Sequence, residues 1–293
     1  MGKIKIVTDS TCDLSVAELQ AAGVELVPVM INFEDGSYRE LLDLTTEDFY
    51  IKMAAQDKLP TTAQPLPGDT LAAFSALVEE GYDVISYHIS SRLSGSARTA
   101  ELIAKVFPPG RVTVVDSMNV SLGLACMVET AAKAQKKGLA REEILKITDY
   151  ITKKIKIYFV VDTLDNLQKG GRIGKATAFL GGMLNIRPLL AIRDGMVCPV
   201  ERIRGKGRAV ERMAELIRQE MTAHDGPGKI YLGHCGAREE LEHYLPDILE
   251  NLQIGREKAD IKDMGAAIGT HAGAGLLAMA YMPWPDFILP VLD

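Results

Sequence analysis

Short β-branched runs alternate with helical stretches through the first 155 residues, and this constrains the fold more than any other feature. Residues 3–8 read as a strand. Ser15 and Glu18 stand at capping-box spacing for a short helix that Gly23 stops. Residues 24–31 read as the next strand, with a turn at Asp35-Gly36. A helix over 46–56 precedes a loop over 59–68 that three prolines stiffen. Helix 69–80, strand 83–89, helix 97–106, strand 112–116 and helices over 121–137 and 141–154 follow. Strands alternating with helices predict a parallel sheet wound on both faces.

The pattern changes near Ile155. Residues 158–162 read as a strand, then comes a glycine-rich helical region over 164–184. Residues 188–193 and 196–202, joined by Asp194-Gly195, form a hairpin signal. Helices over 206–222 and 236–251 flank a strand over 229–234, with weaker strands at 261–264 and 287–290. The fold class is therefore α/β in two domains: an N-terminal parallel α/β domain over 1–155 and a C-terminal mixed-sheet α+β domain over 156–293. The uncharged stretch 265–284 holds four glycines, Thr270 and His271. It reads as a buried loop and helix rather than a membrane span, which needs mostly large apolar residues.

Charge and cysteine content narrow the function. With 33 Lys+Arg against 39 Asp+Glu, the net charge of −6 argues against a nucleic-acid binder. Cys12, Cys126, Cys198 and Cys235 are far apart, with no CxxC and no histidine at zinc spacing, so no metal is expected. The start of the chain reads as a strand and not as a secretory signal, and sparse unpatterned cysteines read as reduced thiols, so the expected location is the cytoplasm.

Three strands of the first half run into Asp9-Ser10-Thr11, Ser90-Ser91 and Asp116-Ser117. The carboxyl edge of a parallel sheet is where ligands bind, and hydroxyls at helix starts suit an anionic head group; caps and turns use the same residues. Lys169-Gly170-Gly171-Arg172-Ile173-Gly174-Lys175 is basic and glycine-rich, but it is neither a P-loop nor G-x-G-x-x-G. Arg202, Arg204 and Lys206 form a second basic run, either a solvated loop or a surface for an acidic partner. His271 lies among small residues, while His88 sits within a strand and reads as structural. A serine esterase or acyl hydrolase using Ser94 and His271 is the alternative reading, although Leu93-Ser94-Gly95 lacks the first glycine of a nucleophile elbow.

Seven blocks, in order along the chain, resemble the DegV family of fatty-acid-binding proteins. They are Asp9–Leu14, Thr62-Ala63-Gln64-Pro65, Ile89–Gly95, Val115-Asp116-Ser117, Asp162-Thr163-Leu164 with Lys169–Gly174, Leu184-Asn185-Ile186-Arg187-Pro188, and Gly269-Thr270-His271-Ala272-Gly273. The resemblance implies a family domain over about 3–290 that holds one long-chain fatty acid, such as palmitate, in a tunnel between two domains. It implies a lipid carrier in lipid transport or fatty acid metabolism, not an enzyme and without a cofactor. A separate kinase subunit would convert the presented acid to an acyl phosphate; a regulatory lipid-binding module without a kinase is the rival. Carried over by position, Thr62 and Ser94, with Thr61 beside them, hold the carboxylate. Arg172 and His271 stand near it to support phosphoryl transfer, and Arg202 and Arg204 are candidates for partner docking. Ala63 departs from the family serine, removing one hydroxyl. Residues 176–186 and 265–282 are expected to wall the tunnel, with Met183 and Met279 against the tail.

Overall fold

The computed structural model describes residues 3–180, 186–224 and 226–292. In chain order its first half contains β1 (Lys3–Asp9), α1 (Val16–Ala22), β2 (Glu25–Val27), β3 (Met30–Phe33), β4 (Gly36–Arg39), α2 (Thr46–Ala54), β5 (Thr61–Ala63), α3 (Pro67–Glu79), β6 (Tyr82–His88), α4 (Ser96–Ala104), β7 (Val112–Asp116), α5 (Leu122–Lys136) and α6 (Arg141–Lys154). The remainder contains β8 (Lys156–Val160), α7 (Asp165–Lys169), β9 (Ile186–Arg193), β10 (Met196–Arg204), α8 (Lys206–Ala223), β11 (Gly228–His234), α9 (Arg238–Leu252), β12 (Ala259–Asp263), α10 (Ala266–Ala272), β13 (Leu277–Pro283) and α11 (Leu289–Leu292).

A four-stranded sheet in the order β2-β1-β6-β7 is parallel throughout. Both faces are covered, as the alternation predicts. Val7, Val27 and Val84 meet Phe74 and Leu77 of α3 and Ala100 of α4 on one side. Ile6, Ile85 and Tyr87 meet α5 and α6 on the other. A six-stranded mixed sheet follows the order β10-β9-β8-β13-β11-β12, in which only β11 and β12 pair in parallel.

Period-two alternation splits the mixed sheet cleanly. Tyr158, Val160, Leu232, Leu277 and Met279 face α8 and α9. Ile157, Phe159, Tyr231, Ala278 and Ala280 face α5 and the first sheet. Helix α5 therefore lies between the sheets, which explains its apolar sequence on nearly every side. The polar exception, Glu129, accepts from Lys229 and Lys262 Nζ (2.6 and 3.0 Å) and from Tyr231 Oη (2.8 Å). Lys262 also donates to Glu18 of α1 at 2.6 Å, so one partly buried ion cluster ties two helices, α1 and α5, to two strands, β11 and β12.

Four sequence expectations change. The strand expected over 24–31 is two strands in different sheets. Pro28 offers no N–H to a ladder, and the Val29 N–H donates to Ser10 Oγ at 3.0 Å, so the chain turns between β2 and β3. Within the loop expected over 59–68, β5 adds to β3, with Thr62 opposite Ile31, making a three-stranded sheet β4-β3-β5. The stretch 265–284 holds, besides α10, the strand β13 at the heart of the mixed sheet, buried at every position. Its Ala- and Met-rich sequence lacks β-branched residues and has no alternation to read, as befits a strand covered on both faces. The weak strand expected over 287–290 is absent; α11 begins at Leu289. Among the described residues no helix is long and apolar enough to cross a membrane.

Candidate functional site: an apolar cavity with a polar end

A cavity of about 300 Å³ lies between the sheets. Its walls come from both sides: Ile89 and Val120 from the loops that follow β6 and β7 of the first sheet, Phe159, Ile192 and Ala278 from strands of the second. Most of the lining residues are apolar; Thr62, Gln64, Ser94, Arg172 and His271 cluster at one end, while Thr11 and Ser121 add hydroxyls elsewhere in the wall. That is the layout of a site for a ligand with a long apolar body and a polar tip.

Each of these side chains is positioned by local structure. Pairing of β5 with β3 directs Thr62 inward, and its Oγ1 lies 2.8 Å from His271 Nε2. Alternation places Thr61 on the other side of β5, where it is exposed and does not line the cavity, so it does not stand beside Thr62 as a head-group ligand. Ser94 stands just before α4; its Oγ is 2.9 Å from Ser96 Oγ and accepts from the Ser96 N–H at 3.3 Å. Gly95, the N-cap of α4, has no side-chain cap, so the positive end of a nine-residue helix faces the same corner. Gln64 also lines the cavity and accepts from Thr99 Oγ1 of α4 at 3.0 Å, bracing β5 against that helix.

Arg172 is held by two backbone carbonyls. Nε donates to Leu93 at 2.9 Å and Nη1 to Gly170 at 2.7 Å, which seats the guanidinium beside Ser94. His271 sits at the end of α10 with Nδ1 buried and without a hydrogen-bond partner. Burial, and then the Arg172 cation, push its pKa down to about 4, so the imidazole is neutral near pH 7. Gly170 is needed for this packing: a Cβ there would fall 2.2 Å from His271 Nδ1. The glycine-rich run thus serves close approach to the histidine, while Lys169 and Lys175 are exposed.

The hydroxyls at the ends of the parallel strands are spent internally. Asp9 accepts from the Thr11 and Ile89 N–H groups and pairs with His88 Nδ1 (3.2, 3.0 and 3.1 Å). Ser10 donates to Glu40, Ser90 to the Gly195 carbonyl and Ser117 to the Asn119 carbonyl. The caps-and-turns reading holds for them, and the polar end of the cavity is built from β5, the loop entering α4, the turn after α7 and the end of α10. A Ser94–His271 catalytic pair is not formed either, since Thr62 occupies the histidine and Ser96 the serine.

The other expected positions are scattered. Arg202 and Arg204 lie exposed on β10, outside the cavity wall; Arg202 Nη2 donates to the Ala178 carbonyl at 2.9 Å and its guanidinium rests 4.9 Å from the Phe179 ring centre. Lys206 is tied to Asp162 and Glu240. Met279 points into the core under α8 and α9, away from the cavity, because β13 alternation gives Ala278 the inner face. Met264, unremarked in the sequence, lines the cavity instead. Of the expected wall over 176–186, residues 181–185, Met183 among them, lie outside the described residues. The stretch 265–282 does contribute, through Ala267, Ile268, His271, Ala272, Leu276 and Ala278. All four cysteines are buried and unbridged, and no cluster of three His, Cys, Asp or Glu side chains suited to a metal occurs among the described residues.

Fold and site together define a three-sheet α/β protein built around a mostly apolar cavity with a polar cluster at one end. The chain belongs to the DegV family: the family profile, described as "Uncharacterised protein, DegV family", matches residues 3–283. A DegV domain-containing protein of Deinococcus radiodurans is 37% identical over 280 residues, 96% of this chain and 98% of that one. Among solved structures, a DegV family protein from Thermus thermophilus described by its fatty acid binding superposes with a TM-score of 0.89 at 33% identity, covering 96% of this chain and 100% of that one. DegV of Bacillus subtilis, described as a fatty acid binding protein, gives 0.85 at 29% identity, covering 97% and 100%.

Proposed function

We propose that the cavity holds one long-chain fatty acid, such as palmitate, with its carboxylate between Thr62 and Ser94 near the start of α4. The observation that carries this reading is a mostly apolar cavity at one end of which Thr62, Ser94, Arg172 and His271 come together. Fatty acid binding by the Thermus and Bacillus relatives supports it. Charge-assisted hydrogen bonds from the hydroxyls contribute about 1.5–3 kcal/mol each. The tail contributes more, about 11 kcal/mol gross for fourteen methylenes before association costs. Arg172 offsets the carboxylate charge, and neutral His271 orients Thr62 rather than adding a second cation.

In this reading the chain is a cytoplasmic carrier in lipid transport or fatty acid metabolism, with domains over 1–155 and 156–293 closing on the lipid. A separate kinase subunit would bring ATP and phosphorylate the presented carboxylate, with Arg172 and His271 stabilising charge in that complex and Arg202 and Arg204 meeting the partner. The family resemblance supports this role.

Denaturing extraction of the purified protein followed by mass spectrometry tests the lipid. A long-chain fatty acid near one per chain, strongly reduced in a Thr62→Ala/Ser94→Ala double variant, is the expected result. A protein that comes out empty and takes up neither palmitate nor oleate would overturn the reading.

A further inference from the structure

We infer that Gly233, which lies behind the cavity wall, sets the length of acyl chain the cavity accepts; this rests on the fatty acid reading above. The cavity runs along α10. His271 stands near the end of that seven-residue helix at the polar end, and Met264 stands just before its start, about 10 Å away along the axis. Met264 and Leu122 therefore wall the region the tail reaches.

Both side chains rest on Gly233. On the inner face of the mixed sheet, Gly233 of β11 is directly opposite Ala278 of β13, which is opposite Phe159 of β8. Ala278 and Phe159 line the cavity. A Cβ at position 233 would fall 2.5 Å from Met264 Cε and 3.1 and 3.4 Å from the two terminal carbons of Leu122. The hydrogen of glycine is what lets these two side chains lie back against the strand. With a methyl group there, Met264 Cε must shift, and the cavity that Met264 and Leu122 both line is open volume into which it can move. Gly233 is an ordinary β-strand residue with no positive φ, so the backbone does not require glycine and alanine acts as a steric probe.

The test compares binding of C14 and C18 saturated acids to wild type, Gly233→Ala, Met264→Ala and the double variant. Each methylene refused changes affinity about fourfold. Gly233→Ala is expected to reduce the C18:C14 affinity ratio about tenfold, Met264→Ala to raise it, and the double variant to return towards wild type. If wild type binds both acids and neither single variant changes the ratio, the inference is overturned. If Gly233→Ala does not fold, Met264→Ala decides: an unchanged ratio overturns the inference. Failure of wild type to bind any acid would instead overturn the function on which it rests.

Discussion

The Thr62 hydroxyl and the His271 imidazole meet at 2.8 Å across 209 positions of sequence. One comes from the shortest class of strand in the molecule, the other from the end of a two-turn helix, and their contact closes the polar end of the cavity. Replacing Thr62 by valine keeps the shape and removes the hydroxyl. We expect Kd for palmitate to rise roughly tenfold to a hundredfold, the equivalent of one charge-assisted hydrogen bond. Calorimetric titration checks it, and an unchanged Kd would remove Thr62 from the carboxylate site.

Gly170→Ala is expected to weaken binding without touching a ligand contact. Its φ is negative, so the backbone tolerates alanine, but the new methyl would collide with the His271 ring. The ring must rotate or withdraw, taking the Thr62 contact with it. A shifted His271 ring resonance in NMR, together with a several-fold loss of affinity, is the expected pair of results. A normal ring shift would show that the helix end yields instead.

Two buried groups should give stability opposite pH dependences. His271 has a pKa lowered to about 4 in the fold by burial and Arg172, against 6.5 as the ordinary value. The unfolded chain takes up that proton first, so this contribution is complete above pH 6.5 and is lost as pH falls towards 4. Burial raises Glu40 to about 7 from 4.5, so its contribution is complete below 4.5 and is lost as pH rises through 7. Urea unfolding of wild type, His271→Gln and Glu40→Gln from pH 4 to 8 separates them. Glu40→Gln should gain on wild type between pH 4.5 and 8, and His271→Gln should gain between 6.5 and 4.

Removing Glu129 should be the most damaging single change in the ion cluster between α5 and the mixed sheet. Lys262, only 4% exposed, would keep Glu18 and Asp260 but lose the carboxylate it shares with Lys229. With those acids retained, losing the charge-assisted bonds to Glu129 is expected to cost about 1–3 kcal/mol. Denaturant midpoints of Glu129→Gln against wild type measure it, and a loss below about 1 kcal/mol would show that the remaining acids suffice.

The parallel half was legible because its signals are local. The capping box at Ser15 and Glu18, the αL stop at Gly23 and the strand–helix alternation each reside in a few adjacent residues. The hairpin β9–β10 was legible for the same reason, through Asp194-Gly195. What escaped depends on distant partners. β5 is a strand only because β3 offers it an edge, and nothing in Leu59–Gly68 alternates long enough to say so. β13 was hidden by burial on both faces. For the site, the family blocks brought together Thr62, Ser94, Arg172 and His271, while Gly170 stood out only as part of a glycine-rich run and Met264 had no sequence signal of a place in the site. A glycine that spares a neighbour from collision looks the same in sequence as one that makes a turn.

The position of β13 also orders events during synthesis. It is the last of the six mixed-sheet strands in the chain, yet it fits between β8 and β11, with Ala278 and Leu276 in the cavity wall. Until residue 283 has left the ribosome, β8 and β11 each expose an unpaired edge and the cavity lacks a side. On the fatty acid reading proposed above, a chain whose β13 has not yet emerged has no closed cavity, so binding follows the insertion of β13.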